Sequence, residues 1–151
     1  YNLDTRELSE REITAELMSR VDEVPVAMAL AQAANESAWG TSRFAVEGNN
    51  IFGQWCFEQG CGLVPLQRKG NASYEVRKFD SISASVSSYI KNINSQYSYE
   101  ELRELRARMR SRNEPLNAID LAAGLAAYSE RGEDYVDEVR SLIVQNELDR
   151  L

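Results

Sequence analysis

The sequence predicts a mainly helical (α+β) domain with one small, irregular, weakly β lobe inserted after a central helix. Apolar residues recur at helical spacing over most of the chain. That pattern lapses from Thr41 to about Phe79, where Gly48, Gly53, Gly60, Gly62, Gly70, Asn49, Asn50 and Pro65 crowd together as turn formers. A length of 151 residues supports one core and is short for two. The expected organisation is therefore a single domain over residues 1–151, with its β-lobe at about 41–79.

The first helix is announced by Ser9 and Glu12, spaced as a capping box, with Leu8 and Ile13 placed as a hydrophobic staple. Ile13, Leu17, Val21 and Val24 continue at helical spacing, which carries the helix to about Asp22 and packs it against the central one. The central helix is AMALAQAANESAWG preceded by Val-Pro-Val. Pro25 suits a helix start and Gly40 the residue just past a helix end. Nearly every side chain between them is small or apolar, so the helix is expected to be buried on most of its circumference. Gln32 and Glu36 are four residues apart and share one face.

Glu36 falls in the last turn, where the negative end of the helix dipole favours a cation over a carboxylate. Burial of the helix acts in the same direction, and both raise the pKa of a carboxyl group. A carboxylic acid kept protonated near neutral pH is a general acid. The alternative is that the helix emerges here and Glu36 is a solvated end residue.

Within the irregular lobe, Tyr74-Glu75-Val76 is the best strand. Long irregular inserts in compact domains commonly line functional surfaces. Cys56 and Cys61 are spaced C-x4-C. A disulfide between them would tighten a glycine-containing loop and imply an oxidising compartment, the alternative being two reduced, unrelated thiols. Arg68, Lys69, Arg77 and Lys78 make the lobe locally basic.

Helical spacing resumes at Ile82, Val86, Tyr89, Ile90 and Ile93, with Asp80 or Ser81 near the cap. Ser98 and Glu101 form a second capping box, flanked by Tyr97 and Leu102 as a staple. Leu102, Leu105 and Met109 make the buried stripe of the helix that follows. Arg103, Arg106, Arg108, Arg110 and Arg112 fall mostly on its outer faces, as a solvated surface or a patch for an anionic polymer. Pro115 breaks the chain, Ile119 to Ala127 forms a short apolar helix, and Gly132 opens a turn. Tyr135, Val139, Leu142 and Ile143 mark a last amphipathic helix ending near Asn146.

Composition narrows the chemistry. The chain contains no histidine, which excludes a Ser-His-Asp triad, a Cys-His pair and a His-ligated metal centre. Two cysteines do not make a structural zinc site unaided, so no metal and no cofactor is expected. A net charge of -7 argues against general nucleic-acid binding. No apolar run approaches the roughly 20 residues of a membrane span, and no leader is seen. A chain that opens at Tyr1 is compatible with processing, so this says nothing about location. A groove between two lobes, with an acid at its wall, suits an extended polymer such as a glycan.

The run AQAANESAWGTSRFAVEGNNIFGQW resembles the signature of the glucosaminidase domains of glycoside hydrolase family 73. There a helix of the type A-Q-A-x-x-E-S-x-W-G is followed by an N-N-x-F-G motif. The matching residues are Ala31, Gln32, Ala33, Glu36, Ser37, Trp39 and Gly40, then Asn49, Asn50, Phe52 and Gly53. WCFEQGCGLVP, YEVRKFDS and AAYSERGEDYVDEV further resemble the Bax-type branch of these domains in Gram-negative bacteria, from about Val21 to Asn146. The resemblance implies a lysozyme-like fold in which the β-lobe forms one side of a cleft. It implies hydrolysis of peptidoglycan glycan strands after N-acetylglucosamine, with Glu36 as the catalytic acid. The late aromatic segment of the family maps onto Tyr128, near the reacting centre, and Tyr135. Gln32, Trp39, Asn50, Phe52 and Tyr135 are the implied substrate-binding residues. For Trp39 and Phe52, core packing is the alternative to stacking on a sugar, and Asn49 and Asn50 suit holding the turn at the lobe junction.

A second carboxylate would lie about 5 to 5.5 Å away in a retaining enzyme and roughly 6.5 to 9.5 Å away in an inverting one. Glu75 is favoured over Glu58 and Glu47, and the substrate's own 2-acetamido group would remove the need for one. The rival readings are a lytic transglycosylase, a non-catalytic peptidoglycan-binding module, and a cell-envelope interaction protein using the Arg-rich helix. The expected setting is extracytoplasmic, in the periplasm of a Gram-negative bacterium, with a monomer favoured.

Overall fold

The computed structural model describes residues 1, 3–66, 68 and 73–151. Among them the chain forms seven α-helices and a three-stranded antiparallel sheet, which is the mainly helical α+β class expected. Lys69 and Gly70, read above as part of the basic and turn-rich lobe, lie outside the described residues. The chain divides into two compact units, residues 1–31 with 90–151 and residues 32–89. The helices α2 (Val26–Ser37) and α4 (Ile82–Ser95) each run from one into the other.

In the helical unit, α1 (Glu10–Arg20) starts with the expected capping box: Ser9 Oγ accepts from the Glu12 amide, and the Glu12 carboxylate accepts from the Ser9 amide at 2.8 Å. The helix stops at Arg20, short of Asp22, and Val21 is exposed rather than part of the stripe. Its principal helical neighbour is α5 (Glu100–Ser111), not the central helix α2. The central helix is also less buried than its composition implied. Met28, Ala31 and Gln32 are buried, but Val26 and Leu30 face solvent.

The second expected capping box does not form. Tyr97–Tyr99 is already a 3₁₀ turn, so the N-cap of α5 falls on Tyr99, and the Tyr97 ring is exposed instead of stapled to Leu102. The larger correction concerns the arginines of α5. Arg103 and Arg106 point inward, and Arg106 is only 1% exposed. Arg106 donates to the carbonyls of Ser19 (3.0 Å) and Glu23 (2.9 Å) and to Asn94 Oδ1 (2.8 Å). Arg103 donates to the carbonyls of Ile93 (3.0 Å) and Gln96 (2.7 Å). Each guanidinium thus sits at the C-terminal end of a helix, Arg106 at α1 and Arg103 at α4, where carbonyls lack intrahelical partners and the dipole favours a cation. A fork of five N–H donors satisfies several carbonyls at once, which a hydrophobic stripe cannot do.

Asn117 caps α6 (Ala118–Leu121), accepting from the amides of Ile119 and Asp120 at 2.9 and 3.1 Å. The chain then tightens into a 3₁₀ turn, Ala122–Leu125, so the single apolar helix expected over 119–127 is two shorter pieces. A Cβ on Gly124 would collide with the backbone of Leu102, so glycine lets this turn lie directly on α5. The last helix, α7 (Glu133–Gln145), begins at Gly132 and buries Tyr135, Val136, Val139 and Ile143.

The second unit contains a helix that the sequence pattern did not announce, α3 (Arg43–Gly48). Its signals are the Ser42 side chain, which accepts from the Ala45 amide at 3.2 Å, and Asn49, which ends it in the left-handed region at φ 51°. The strands are β1 (Trp55–Cys56), β2 (Gly62–Leu63) and β3 (Glu75–Arg77), in the order β1-β3-β2. The strand expected at Tyr74–Val76 is therefore present, one residue later. Trp55 pairs with Val76, Cys56 with Glu75, and Leu63 with Val76. Cys56 and Cys61 are joined in a disulfide that closes the β1–β2 loop. The start of α4 is capped as expected by Ser81, whose hydroxyl accepts from the Ala84 amide at 3.1 Å. Its buried face is Ser85 and Tyr89, continuing to Ile93, while Ile82 and Ile90 are exposed.

Candidate active site

Glu36 occupies the last turn of α2, which ends at Ser37, and its side chain is half-buried. Gly40 is not the first residue past the helix. Ala38, Trp39 and Gly40 all take positive φ, at 49°, 57° and 78°. Two non-glycine residues in succession in the left-handed region cost about 1–2 kcal/mol each, so this turn needs support. Ser37 supplies it: its hydroxyl donates to the Ala33 carbonyl at 2.6 Å and accepts from the Gly40 amide at 2.7 Å. The Trp39 amide reaches back to the Ala34 carbonyl at 2.8 Å, and the Ser42 amide to the Ser37 carbonyl at 2.9 Å. The Ser of E-S-x-W-G thus pins the chain reversal, and the Trp is turned outward, 63% exposed.

The second half of the motif meets the first at the Glu36 carboxyl group. Gly53 has φ 64°, and a Cβ built on it would stand 3.1 Å from Glu36 Oε2. Glycine is needed there for conformation and for room. Asn50, buried, holds the turn that delivers Gly53. Its Nδ2 donates to the carbonyls of Gln54 and Arg77, both at 2.8 Å, and its Oδ1 accepts from the Gln54 amide at 3.1 Å. Asn49 Nδ2 donates to the Phe79 carbonyl at 2.9 Å. Gln54 is itself fixed to α4, donating to the Ser85 carbonyl at 3.1 Å and accepting from the Ser88 hydroxyl at 2.6 Å.

Several residues expected to touch substrate lie in the interior instead. Gln32 is fully buried, and its Oε1 accepts from the Tyr89 hydroxyl at 2.6 Å. Phe52 is buried and stacked on the Tyr89 ring, with centroids 3.9 Å apart. Tyr135 is buried beneath Tyr128, stacked at 5.4 Å, and Asn50 is engaged as above. The apolar or amide character that suggested sugar contact serves packing and hydrogen bonding within the protein here. Tyr128 is half-buried and has Tyr99 as a second ring neighbour at 5.9 Å, a residue that no motif marked. The stacked pair Trp55 and Tyr74 lies within runs that carry the resemblance, yet neither is among the expected site residues. The sequence signal at Trp55 is the run Trp55-Cys56-Phe57, two aromatic residues flanking a cysteine.

Glu75, the favoured second carboxylate, is turned into the β1–β2 loop. Oε1 accepts from the Gly60 amide at 3.0 Å and Oε2 from the Gly62 amide at 2.8 Å, and the side chain is buried. These two bonds, first Gly60 and then Gly62, hold its pKa below the usual carboxylate value. Glu58 is exposed at the loop tip, and Glu47 is exposed and faces Arg43 at 3.8 Å. Of the basic residues of the lobe, Arg68 donates to the Tyr74 carbonyl at 3.1 Å, Arg77 lies over the Phe79 ring, and Lys78 is exposed.

This geometry, a helix-end carboxyl met by the glycine of an N-N-I-F-G turn, can be set beside known proteins. The family model described as mannosyl-glycoprotein endo-beta-N-acetylglucosaminidase matches residues 12–148. The chain belongs to this glucosaminidase family. The resemblance carried by E-S-A-W-G and N-N-I-F-G is thereby borne out. Protein bax of Escherichia coli (strain K12) is 34% identical over 131 residues, 87% of this chain, in keeping with the Bax-type branch. The chain spans 46% of the length of that relative. The catalytic domain of the autolysin Auto from Listeria monocytogenes superposes with a TM-score of 0.57 over 94% of this chain and 97% of that one, at 20% identity. That likeness shows a shared fold.

Proposed function

We propose that this glucosaminidase-family chain is a peptidoglycan hydrolase, an endo-β-N-acetylglucosaminidase that cleaves glycan strands after N-acetylglucosamine. The observation that carries the reading is the approach of Gly53 to Glu36 Oε2, which makes the two halves of the motif a single construction around one carboxyl group. Glu36, at the C-terminal end of α2, donates its proton to the departing glycosidic oxygen as the bond to C1 breaks. Both Glu75 oxygens accept backbone amides, so attack on C1 is assigned to the substrate's 2-acetamido group, followed by water that Glu36, now ionised, deprotonates. The exposed Trp39 offers a sugar-stacking face beside the acid. The glucosaminidase family and the structural neighbour, an autolysin catalytic domain, support a cell-wall substrate. The cystine supports an extracytoplasmic setting, the periplasm in a Gram-negative cell. Burial of Arg103 and Arg106 counts against an interaction surface built on the α5 arginines.

The test is mass spectrometry of soluble products from purified sacculi treated with the protein and with Glu36→Gln. Fragments with reducing N-acetylglucosamine ends are expected from the native chain, falling at least about 100-fold with the variant. Anhydro-muramic ends would make it a lytic transglycosylase, and no release would leave a binding module.

A further inference from the structure

The β-lobe displays an aromatic pair that neither the fold nor the proposed acid requires. Trp55 is 54% exposed although its indole is stacked on the Tyr74 ring, with centroids 4.4 Å apart and planes 13° from parallel. One face of the indole is covered by that ring, so the exposure belongs to its edge and its other face. The register explains the pairing: Trp55 stands opposite Val76 on β3, and Tyr74, two residues before Val76, is the diagonal neighbour on the same face.

The pair is fixed from both sides. Cys56, the residue after Trp55, is tied to Cys61. Glu75, the residue after Tyr74, is buried with both oxygens bonded to loop amides, and the Tyr74 carbonyl accepts from Arg68 at 3.1 Å. Gln54, the residue before Trp55, is bonded through its backbone and its side chain. An indole face held this rigidly in water loses little freedom when a ligand covers it.

Trp55 follows Gly53 by two residues, and two extended residues span at most about 7 Å. The Trp55 backbone therefore lies within about 7 Å of the glycine that meets the Glu36 carboxyl group. We infer that the stacked Trp55–Tyr74 pair is a sugar-binding platform that receives an N-acetylhexosamine ring of the glycan strand next to the scissile bond. The axial C–H face of a β-linked pyranose is apolar and flat enough to lie on an indole. The inference rests on the glycan reading of the site.

The chain has two tryptophans, so its indole N–H spectrum carries one resonance each for Trp39 and Trp55, assigned with Trp55→Phe. Titrating the Glu36→Gln protein with a hexamer of β-1,4-linked N-acetylglucosamine is expected to shift the Trp55 resonance. Trp55→Ala is expected to weaken hexamer binding about tenfold, with Trp55→Phe recovering most of it. On sacculi, Trp55→Ala is expected to raise KM and leave kcat within about twofold. A Trp55 resonance unmoved by the hexamer, or a Trp55→Ala protein of native affinity and native circular dichroism, overturns the platform. If Trp55 shifts while the native chain releases no fragments from sacculi, the platform stands and the hydrolase reading fails.

Discussion

The helical unit and the β-lobe unit solve the same problem with opposite chemistry. In residues 1–31 and 90–151, Ser9 and Asn117 accept from exposed amides at helix N-termini, and the orphan carbonyls at helix C-termini receive buried arginines: Arg106 at the end of α1 and Arg103 at the end of α4. In residues 32–89, the strands are two or three residues long and leave loop groups of both kinds without ladder partners. Glu75 accepts from two amides, Asn50 bonds an amide and two carbonyls, and Ser37 bonds one of each. The choice of side chain follows the sign of what is unsatisfied: donors only for carbonyls, an acceptor only for amides, an amide or hydroxyl for a mixture. The difference teaches that short irregular elements are bonded individually, whereas helices need help at their ends alone.

The largest expected effect on that comparison is Arg106→Met. It removes three close bonds from a 1% exposed group and leaves the carbonyls of Ser19 and Glu23 and the Asn94 amide oxygen without this donor. Burial already lowers the pKa of Arg106, with Asp22 at 3.7 Å opposing, so the charge is retained at the cost of desolvation. A loss of about 3–5 kcal/mol is expected, read as the urea midpoint at unchanged slope. A loss below about 1 kcal/mol would mean that the arginine is no more than a filler of space.

A smaller effect, and one of different shape, is expected from Glu75→Gln in the lobe. The native carboxyl has its pKa depressed by the Gly60 and Gly62 amides. Its contribution is therefore complete above the unfolded value, about 4.3, and is lost as pH falls through the lower folded value. Glutamine offers one oxygen where two amides need acceptors. The native chain should lose melting temperature from about pH 5 downward partly through Glu75. The variant should start lower at neutral pH and fall less steeply. Parallel curves for the two proteins would detach the carboxylate from the loop.

Legibility in the sequence followed the same division. Where structure rests on periodicity, as in α1, α4 and α7, the residues announced it, and Ser9 with Glu12 named a cap correctly. Where it rests on polar groups turned inward, they did not: Arg103 and Arg106 read as solvated because charge on a helix usually faces water. The α3 helix hid because six residues hold less than two turns of pattern. At the site, the motif holds Glu36 and Gly53, which the structure brings together, while Gln32, Asn50, Phe52 and Tyr135, expected at the substrate, are buried. Motif spacing records which residues belong together, and it carries no information on which of them face outward. Trp55 and Tyr74 needed the strand register, since they are 19 positions apart in sequence.

The smallest expected effect comes from the same helix as the largest. Arg108 faces Glu104 at 3.8 Å, with the two side chains 55% and 62% exposed, one turn apart on the outer surface of α5. Water screens such a pair and its two long side chains resist being ordered, so exposed pairs of this spacing contribute about 0.3–0.5 kcal/mol. Glu104→Ala should shift the urea midpoint by no more than that, and added salt should erase the shift. Arg106→Met, two positions away in sequence, should keep its full loss in salt, because hydrogen bonds from a guanidinium buried away from water are barely screened. If the two variants instead responded alike to salt, the arginines of α5 would be one electrostatic set, and the division between helix-end donors and solvated charges would fail on the helix where it is drawn most sharply.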